Sequence, residues 1–180
     1  MSQTQRIFLV GYMGAGKTTI GNRLAQCLEL NFIDLDSFIE NRCHKTIEQI
    51  ISEKGEFGFR EIEQSLLQEV SQFENVIIST GGGTPCFFDN MSLMNRAGIT
   101  IYLKVSSEVL IRRLNTRKDK RPLIKKLNGK ELEEFVTTTI NQRKIFYNQA
   151  TYICETEQWS TDNNVDSIVG HLISKINKQG

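Results

Sequence analysis

Only two prolines, Pro85 and Pro122, occur in 180 residues, and no Ser- or Pro-rich stretch interrupts the chain. With no linker and no internal repeat, a length usual for one α/β domain implies a single unit over residues 1–180. Long apolar runs are also missing. Ile7-Phe8-Leu9-Val10 and Val76-Ile77-Ile78 are far shorter than the roughly 20 residues that a membrane-spanning helix needs. Met1 to Arg6 is polar and lacks the hydrophobic stretch of a secretion signal. A cytoplasmic protein that engages no membrane is therefore expected. Cys27, Cys43, Cys86 and Cys154 lie far apart with no CxxC pair, which argues against a zinc site built on local spacing and, without export, against disulfides. His44 and His171 form no local ligand pair. Excess charge of one sign is absent too. With 22 basic and 21 acidic residues the formal net charge is +1, so the molecule as a whole does not attract nucleic acid. Any affinity for anions has to be local.

What the chain does have is alternation of short apolar strands with amphipathic helices. Strands are expected over 6–10, 31–36, 76–80, 99–105 and 151–155. Helices are expected over 17–29, from Ser37, over about 56–73, 89–96, 110–116, 131–147 and 165–176. Thr46 with Gln49 three residues later reads as a capping box opening a further short helix. The pattern implies a mostly parallel sheet covered on both faces.

Gly11-Tyr12-Met13-Gly14-Ala15-Gly16-Lys17-Thr18 fits GxxxxGK[ST] at all eight positions, after a strand and before a helix. Such a loop turns backbone N–H groups inward around a phosphate, and the helix N-terminus behind it adds unpaired donors. Lys17 is placed to reach the β- and γ-phosphates, and the Thr18 hydroxyl to coordinate Mg2+. Thr19 reads as the next helix residue. The loop points to a nucleoside triphosphate and leaves the acceptor open.

Asp34 and Asp36 stand two apart at the end of the second strand, where period-2 geometry would aim both into one cleft. Two carboxylates so close suit a site in which one lies near a divalent cation and the other meets its own ligand. Asp34 is expected near Mg2+, and Asp36 at a substrate hydroxyl whose bond or proton it accepts. Asp36 could instead cap the following helix. Arg60, three residues before Glu63 on a helix, would ordinarily form a surface ion pair. Gly81-Gly82-Gly83 after the third strand allows a ligand close to the backbone. Residues 112–130 carry nine basic residues and one acidic residue, Asp119. Opposite a phosphate loop they suit a lid that excludes water and supplies cations during phosphoryl transfer.

These features together resemble shikimate kinases. The resemblance rests on the Gly11–Thr18 loop, Asp34-Leu35-Asp36, Phe59-Arg60 with Glu63, Gly81-Gly82-Gly83, Arg121-Pro122-Leu123 and Arg143, and extends from about Arg6 to Glu155. It implies a P-loop NTPase of the nucleoside-monophosphate-kinase-like type, with a five-stranded parallel sheet in order 2-3-1-4-5. It also implies mobile substrate-binding (about 37–65) and lid (about 112–130) regions. The activity it implies is ATP-dependent phosphorylation of the 3-hydroxyl of shikimate, in chorismate and aromatic amino acid biosynthesis. On this resemblance Arg60 and Arg143 hold the shikimate carboxylate, Asp36 and the Gly81, Gly82 and Gly83 backbone its hydroxyls, and Glu63 orients Arg60. ATP is expected on Gly11, Gly14, Ala15, Gly16, Lys17, Thr18 and Thr19, with Arg113 a candidate for the adenine end. Lys17, Asp36 and Arg121 are the expected catalytic set, Arg121 acting on the transferring phosphate, and Thr18 and Asp34 the metal set. A monomer acting on small molecules is expected. No pattern can be carried onto Gln158-Trp159-Ser160, where related kinases close over adenine.

Three other readings share part of this pattern. A nucleoside monophosphate kinase would need a base pocket that these residues do not provide. A gluconate-type kinase would share the phosphate loop and first aspartate but does not predict the glycine run with Arg60 and Arg143. A GTP-dependent switch would read guanine through NKxD. The only Asn-Lys here, Asn177-Lys178, lacks the aspartate, and no DxxG occurs.

Overall fold

A computed structural model describes residues 5–116, 124–125, 127–156 and 165–178. Its elements in chain order are β1 (Arg6–Val10), α1 (Lys17–Leu28), β2 (Asn31–Asp34), α2 (Leu35–Cys43), α3 (Ile47–Val70), β3 (Val76–Ser79), a 3-10 turn (Thr84–Cys86), α4 (Asn90–Ala97), β4 (Ile99–Lys104), α5 (Ser107–Asn115), α6 (Gly129–Tyr147), β5 (Tyr152–Glu155) and α7 (Val165–Ile176). The strands form one parallel sheet in the order β2-β3-β1-β4-β5. This is the order the resemblance implied.

Alternation along the central strand divides the core. Ile7 and Leu9 point to one face with Ile77, Ile101 and Leu103, and pack beneath α1, α5 and α7. Phe8 and Val10 point to the other with Val76, Ile78 and Tyr102, against Leu35, Ile39, Leu67, Met94 and Tyr147 from α2, α3, α4 and α6. Burial on both faces accounts for the continuous apolar runs of β1 and β3. Among the described residues no helix is long and apolar enough to cross a membrane, and the four cysteines are free thiols.

The capping box at Thr46 forms as expected. Its hydroxyl accepts from the Gln49 backbone N–H at 3.2 Å, while the Gln49 side chain accepts from the Thr46 N–H at 2.9 Å. The two helices expected after it form one element, Ile47–Val70, broken by left-handed backbone at Gly55 (φ 73°). A larger correction concerns β2, which ends at Asp34 rather than Asp36. The Asp34 carboxylate accepts from the backbone N–H of Ser37 at 3.4 Å, so the chain is already turning into α2. The aspartate at the helix cap is thus Asp34, and Asp36 lies in the first helical turn.

Candidate active site

Because all five strands are parallel, their carboxyl ends share one edge of the sheet, where ligands collect in open α/β folds. β1 delivers the phosphate loop to this edge, β2 delivers Asp34, and β3 delivers Thr80 and the three glycines. A cleft of about 210 Å³ opens between them, lined by Lys17, Thr18, Asp34, Asp36, Gly81 and Gly82 among others.

The loop adopts the geometry that its glycines permit, with φ of 141° at Gly11, 83° at Gly14 and 95° at Gly16. These values are strained for any residue carrying a Cβ. Lys17, only 8% exposed, donates its ammonium to the carbonyls of Gly11 at 2.8 Å and Tyr12 at 3.0 Å. Thr18 Oγ1 donates to Asp34 Oδ2 at 2.8 Å. A hydroxyl and a carboxylate thus meet beside the phosphate loop, two oxygen donors of the kind Mg2+ takes when phosphates and water complete its octahedron. The described residues contain no cluster of three His, Cys, Asp or Glu side chains able to hold a metal alone. Ala15 is buried within the loop and Thr19 is exposed on α1. Arg113, from α5, donates to the Gly14 carbonyl at 3.2 Å, which places it against the loop. Arg121 lies outside the described residues, as do the rest of 117–123, residue 126 and Gln158-Trp159-Ser160.

On the other wall the glycine run is crowded by the side chains expected to bind substrate. A methyl group on Gly81 would fall 2.8 Å from Asp36 Oδ1, one on Gly83 would fall 2.7 Å from Arg60 Nη2, and one on Gly82 would sit 3.2 Å from the Met13 N–H and 3.6 Å from Arg143 Nη1. A side chain at Gly81 or Gly83 would displace Asp36 or Arg60, and one at Gly82 would crowd the loop backbone; none of the three has the left-handed backbone of the phosphate loop. Asp36, Arg60 and Arg143 converge on three consecutive residues. Arg143 also lies over the Tyr12 ring at 5.8 Å.

The Arg60–Glu63 pair is not a surface pair. Glu63 is 1% exposed and accepts from Arg60 Nη1 at 2.8 Å and from Thr84 Oγ1 at 2.6 Å. The guanidinium is held over the rings of Phe59 at 5.0 Å and Phe87 at 4.1 Å, contacts that favour a planar cation. The i,i+3 spacing could not show that the 84–86 turn folds over this face of α3. Thr84 and Tyr147 were not singled out from sequence. Tyr147, fully buried on α6 one turn beyond Arg143, donates its hydroxyl to the Gly82 carbonyl at 2.5 Å. An Arg-x-x-x-Tyr spacing on one helix face was the available signal.

Burial raises the Asp36 carboxyl from its ordinary 3.8 to about 6, with Asp34 and Glu63 adding to the rise and Lys17 and Arg60 opposing it. The group is thus ionised at neutral pH yet more basic than a free carboxylate, which suits a proton acceptor. Cys86, beside Arg60 and Arg143, is pushed up to about 11 by burial, so its thiol stays neutral.

The shikimate kinase family profile matches residues 13–176. The chain belongs to the shikimate kinase family. It is 51% identical over 169 residues to the shikimate kinase of Parabacteroides distasonis, covering 94% of this chain and 98% of that protein. The crystal structure of shikimate kinase from Bacteroides thetaiotaomicron superposes with a TM-score of 0.92 at 47% identity, covering 97% of this chain and 99% of that one. Shikimate kinase from Acinetobacter baumannii, solved in complex with shikimate, gives 0.86 at 30% identity over 97% and 94%. For shikimate kinases the pairing of a phosphate loop with two guanidiniums and a carboxylate is chemically coherent, since one wall suits a triphosphate and the other a hydroxylated acid.

Proposed function

We propose that this chain transfers the γ-phosphoryl group of ATP to the 3-hydroxyl of shikimate, giving shikimate 3-phosphate and ADP, and that it does so as a cytoplasmic monomer. The observation that carries the reading is the convergence of Asp36, Arg60 and Arg143 on Gly81–Gly83 beside the phosphate loop. Arg60 and Arg143 grip the ring carboxylate, since a guanidinium offers it paired N–H donors. Asp36 and the glycine backbone take the ring hydroxyls.

In the reaction Asp36 accepts the bond, and then the proton, of the attacking hydroxyl as its oxygen approaches the γ-phosphorus. Lys17 exchanges the Gly11 and Tyr12 carbonyls for phosphate oxygens and balances charge on the leaving side. The N–H groups of Gly14, Ala15, Gly16, Thr18 and Thr19 cradle the phosphates, and Arg113 flanks them from α5. Thr18 and Asp34 would hold Mg2+, which when bound would neutralise charge on the phosphate oxygens. Arg121, carried over from the family pattern, acts on the transferring phosphate from the basic segment 112–130.

The test is ADP release measured by a coupled assay with shikimate, gluconate and AMP offered separately. Shikimate alone should accelerate release. Acceleration by gluconate or AMP in its place would overturn the acceptor assignment and leave only the phosphate loop reading.

A further inference from the structure

Thr84 closes the glycine turn and reaches back to the helix that carries Arg60. It is fully buried, and its hydroxyl donates to Glu63 Oε1 at 2.6 Å while Arg60 Nη1 donates to Oε2 at 2.8 Å. The two oxygens of one buried carboxylate are therefore divided between Thr84 and Arg60. Thr84 is itself fixed at both ends of its peptide. Its N–H donates to the Gly81 carbonyl at 3.2 Å, and its carbonyl accepts from Asn90 Nδ2 at 2.9 Å, Asn90 also being fully buried. Pro85 follows at the start of the 3-10 turn and restricts the backbone further.

We infer that Thr84 is a positioning residue for the acceptor: its hydroxyl sets the rotation of the Glu63 carboxylate, and Glu63 sets the plane of the Arg60 guanidinium. This rests on the reading that Arg60 grips the acceptor's carboxylate. The terminal torsion of a glutamate is broad and roughly two-fold, so a carboxylate held at one oxygen can rotate, and one held at both cannot. Pinning Oε1 on Thr84 leaves Oε2 for Nη1, and the guanidinium is then presented with Nη2 against Gly83, where an added methyl would lie 2.7 Å away. Nη2 also donates to Glu56 at 3.3 Å, but that carboxylate is exposed and holds it more weakly than buried Glu63 does. Without the hydroxyl, Oε1 is a buried acceptor with no donor. It is relieved by rotation of the Glu63 carboxylate, which releases Arg60 from its fixed plane. Thr84 touches no reacting atom in this scheme, so its loss acts on capture of the acceptor and leaves the transfer step alone.

The experiment compares Thr84→Val, Thr84→Ser and Arg60→Ala by steady-state kinetics, with shikimate and ATP varied separately. Thr84→Val keeps the shape and removes the hydroxyl. It should raise KM for shikimate about tenfold, the loss of one hydrogen bond to a charged group, with kcat and KM for ATP within about twofold of the parent. Thr84→Ser should restore the parent values. If Thr84→Val does not fold, Thr84→Ala carries the same comparison. A parental KM for shikimate in the hydroxyl-free variant, with Arg60→Ala impaired, overturns the inference. So does an equal loss in kcat and both KM values that Ser does not rescue, which is the signature of a purely structural residue. A parental shikimate KM in Arg60→Ala would overturn the underlying reading of the carboxylate grip instead.

Discussion

Replacing Asp36 by Asn should make the protein more stable while removing its activity, because both effects arise from the same surroundings. The carboxyl titrates at about 6 in the fold against an ordinary value of 3.8, chiefly because it is buried and then because Asp34 and Glu63 face it. The folded chain thus holds this proton more tightly than the unfolded chain does. Between those two values the folded state binds more protons, so stability falls as pH rises through the interval. The cost is absent below about 3.8 and complete above about 6. At 1.36 kcal/mol per pH unit the gap amounts to about 3 kcal/mol, and screening of a partly exposed group reduces it to about 1–2 kcal/mol. Asn keeps the shape without the charge. In a chain of this length each kcal/mol moves the midpoint by roughly 2–4 °C, so the variant should melt about 2–8 °C higher at about pH 8. That gain should shrink toward nothing at about pH 4. Thermal unfolding followed by circular dichroism, without ligands, measures both. Turnover by the same variant should fall about 10²- to 10⁴-fold with ATP binding retained. An unchanged midpoint at alkaline pH, or a gain of equal size at acid pH, would refute the electrostatic reasoning. Near-parental turnover would remove Asp36 from the chemistry.

If Asp36 accepts the hydroxyl proton as proposed, the acid limb of kcat/KM for shikimate should fall below about pH 6, where its carboxyl protonates; a profile flat down to about pH 5 would assign the proton elsewhere. Arg60→Ala and Arg143→Ala should each raise KM for shikimate about 10- to 100-fold, the worth of one charged contact, with ATP use little changed. Gly83→Ala should mimic Arg60→Ala in kinetics, since the added methyl displaces the Arg60 guanidinium, and should also lower the melting midpoint, because the buried Glu63 carboxylate loses that partner. Gly98→Ala should act on stability alone. Its methyl would fall 2.2 Å from the Arg6 carbonyl, so the melting midpoint should drop sharply, and an unshifted midpoint would contradict the packing described for β1 and β4.

The phosphate loop was legible residue by residue because its chemistry is local: the glycines, the lysine and the threonine do their work within eight positions. The sheet order, by contrast, came through family resemblance, since strand pairing depends on contacts far apart in sequence. Asp34 and Asp36 were correctly placed at one edge for a partly mistaken reason. Alternation along a strand was expected to align them, but the chain leaves β2 at Asp34, and a helix cap followed by a first turn brings Asp36 to the same cleft. Spacing alone made Arg60–Glu63 a solvated pair. Its burial needs Thr84 and Phe87 from a segment more than twenty residues away, and no helical period encodes that. The i,i+4 spacing of Arg143 and Tyr147 places both on one helix face, but the Tyr147 bond to Gly82 spans 65 positions and no local pattern names that partner. Gly81–Gly83 falls between these cases: the run suggested close approach, and only the folded chain shows what approaches each glycine.

The central claim is that the acceptor is seated by its carboxylate with its 3-hydroxyl toward the phosphate loop. Phosphorus NMR of the product made from shikimate and MgATP tests it most directly. The account predicts a single phosphomonoester whose phosphorus couples to the ring proton at carbon 3. Coupling to the proton at carbon 4 or 5, or a mixture of esters, would contradict the seating of the ring by Arg60, Arg143 and Asp36.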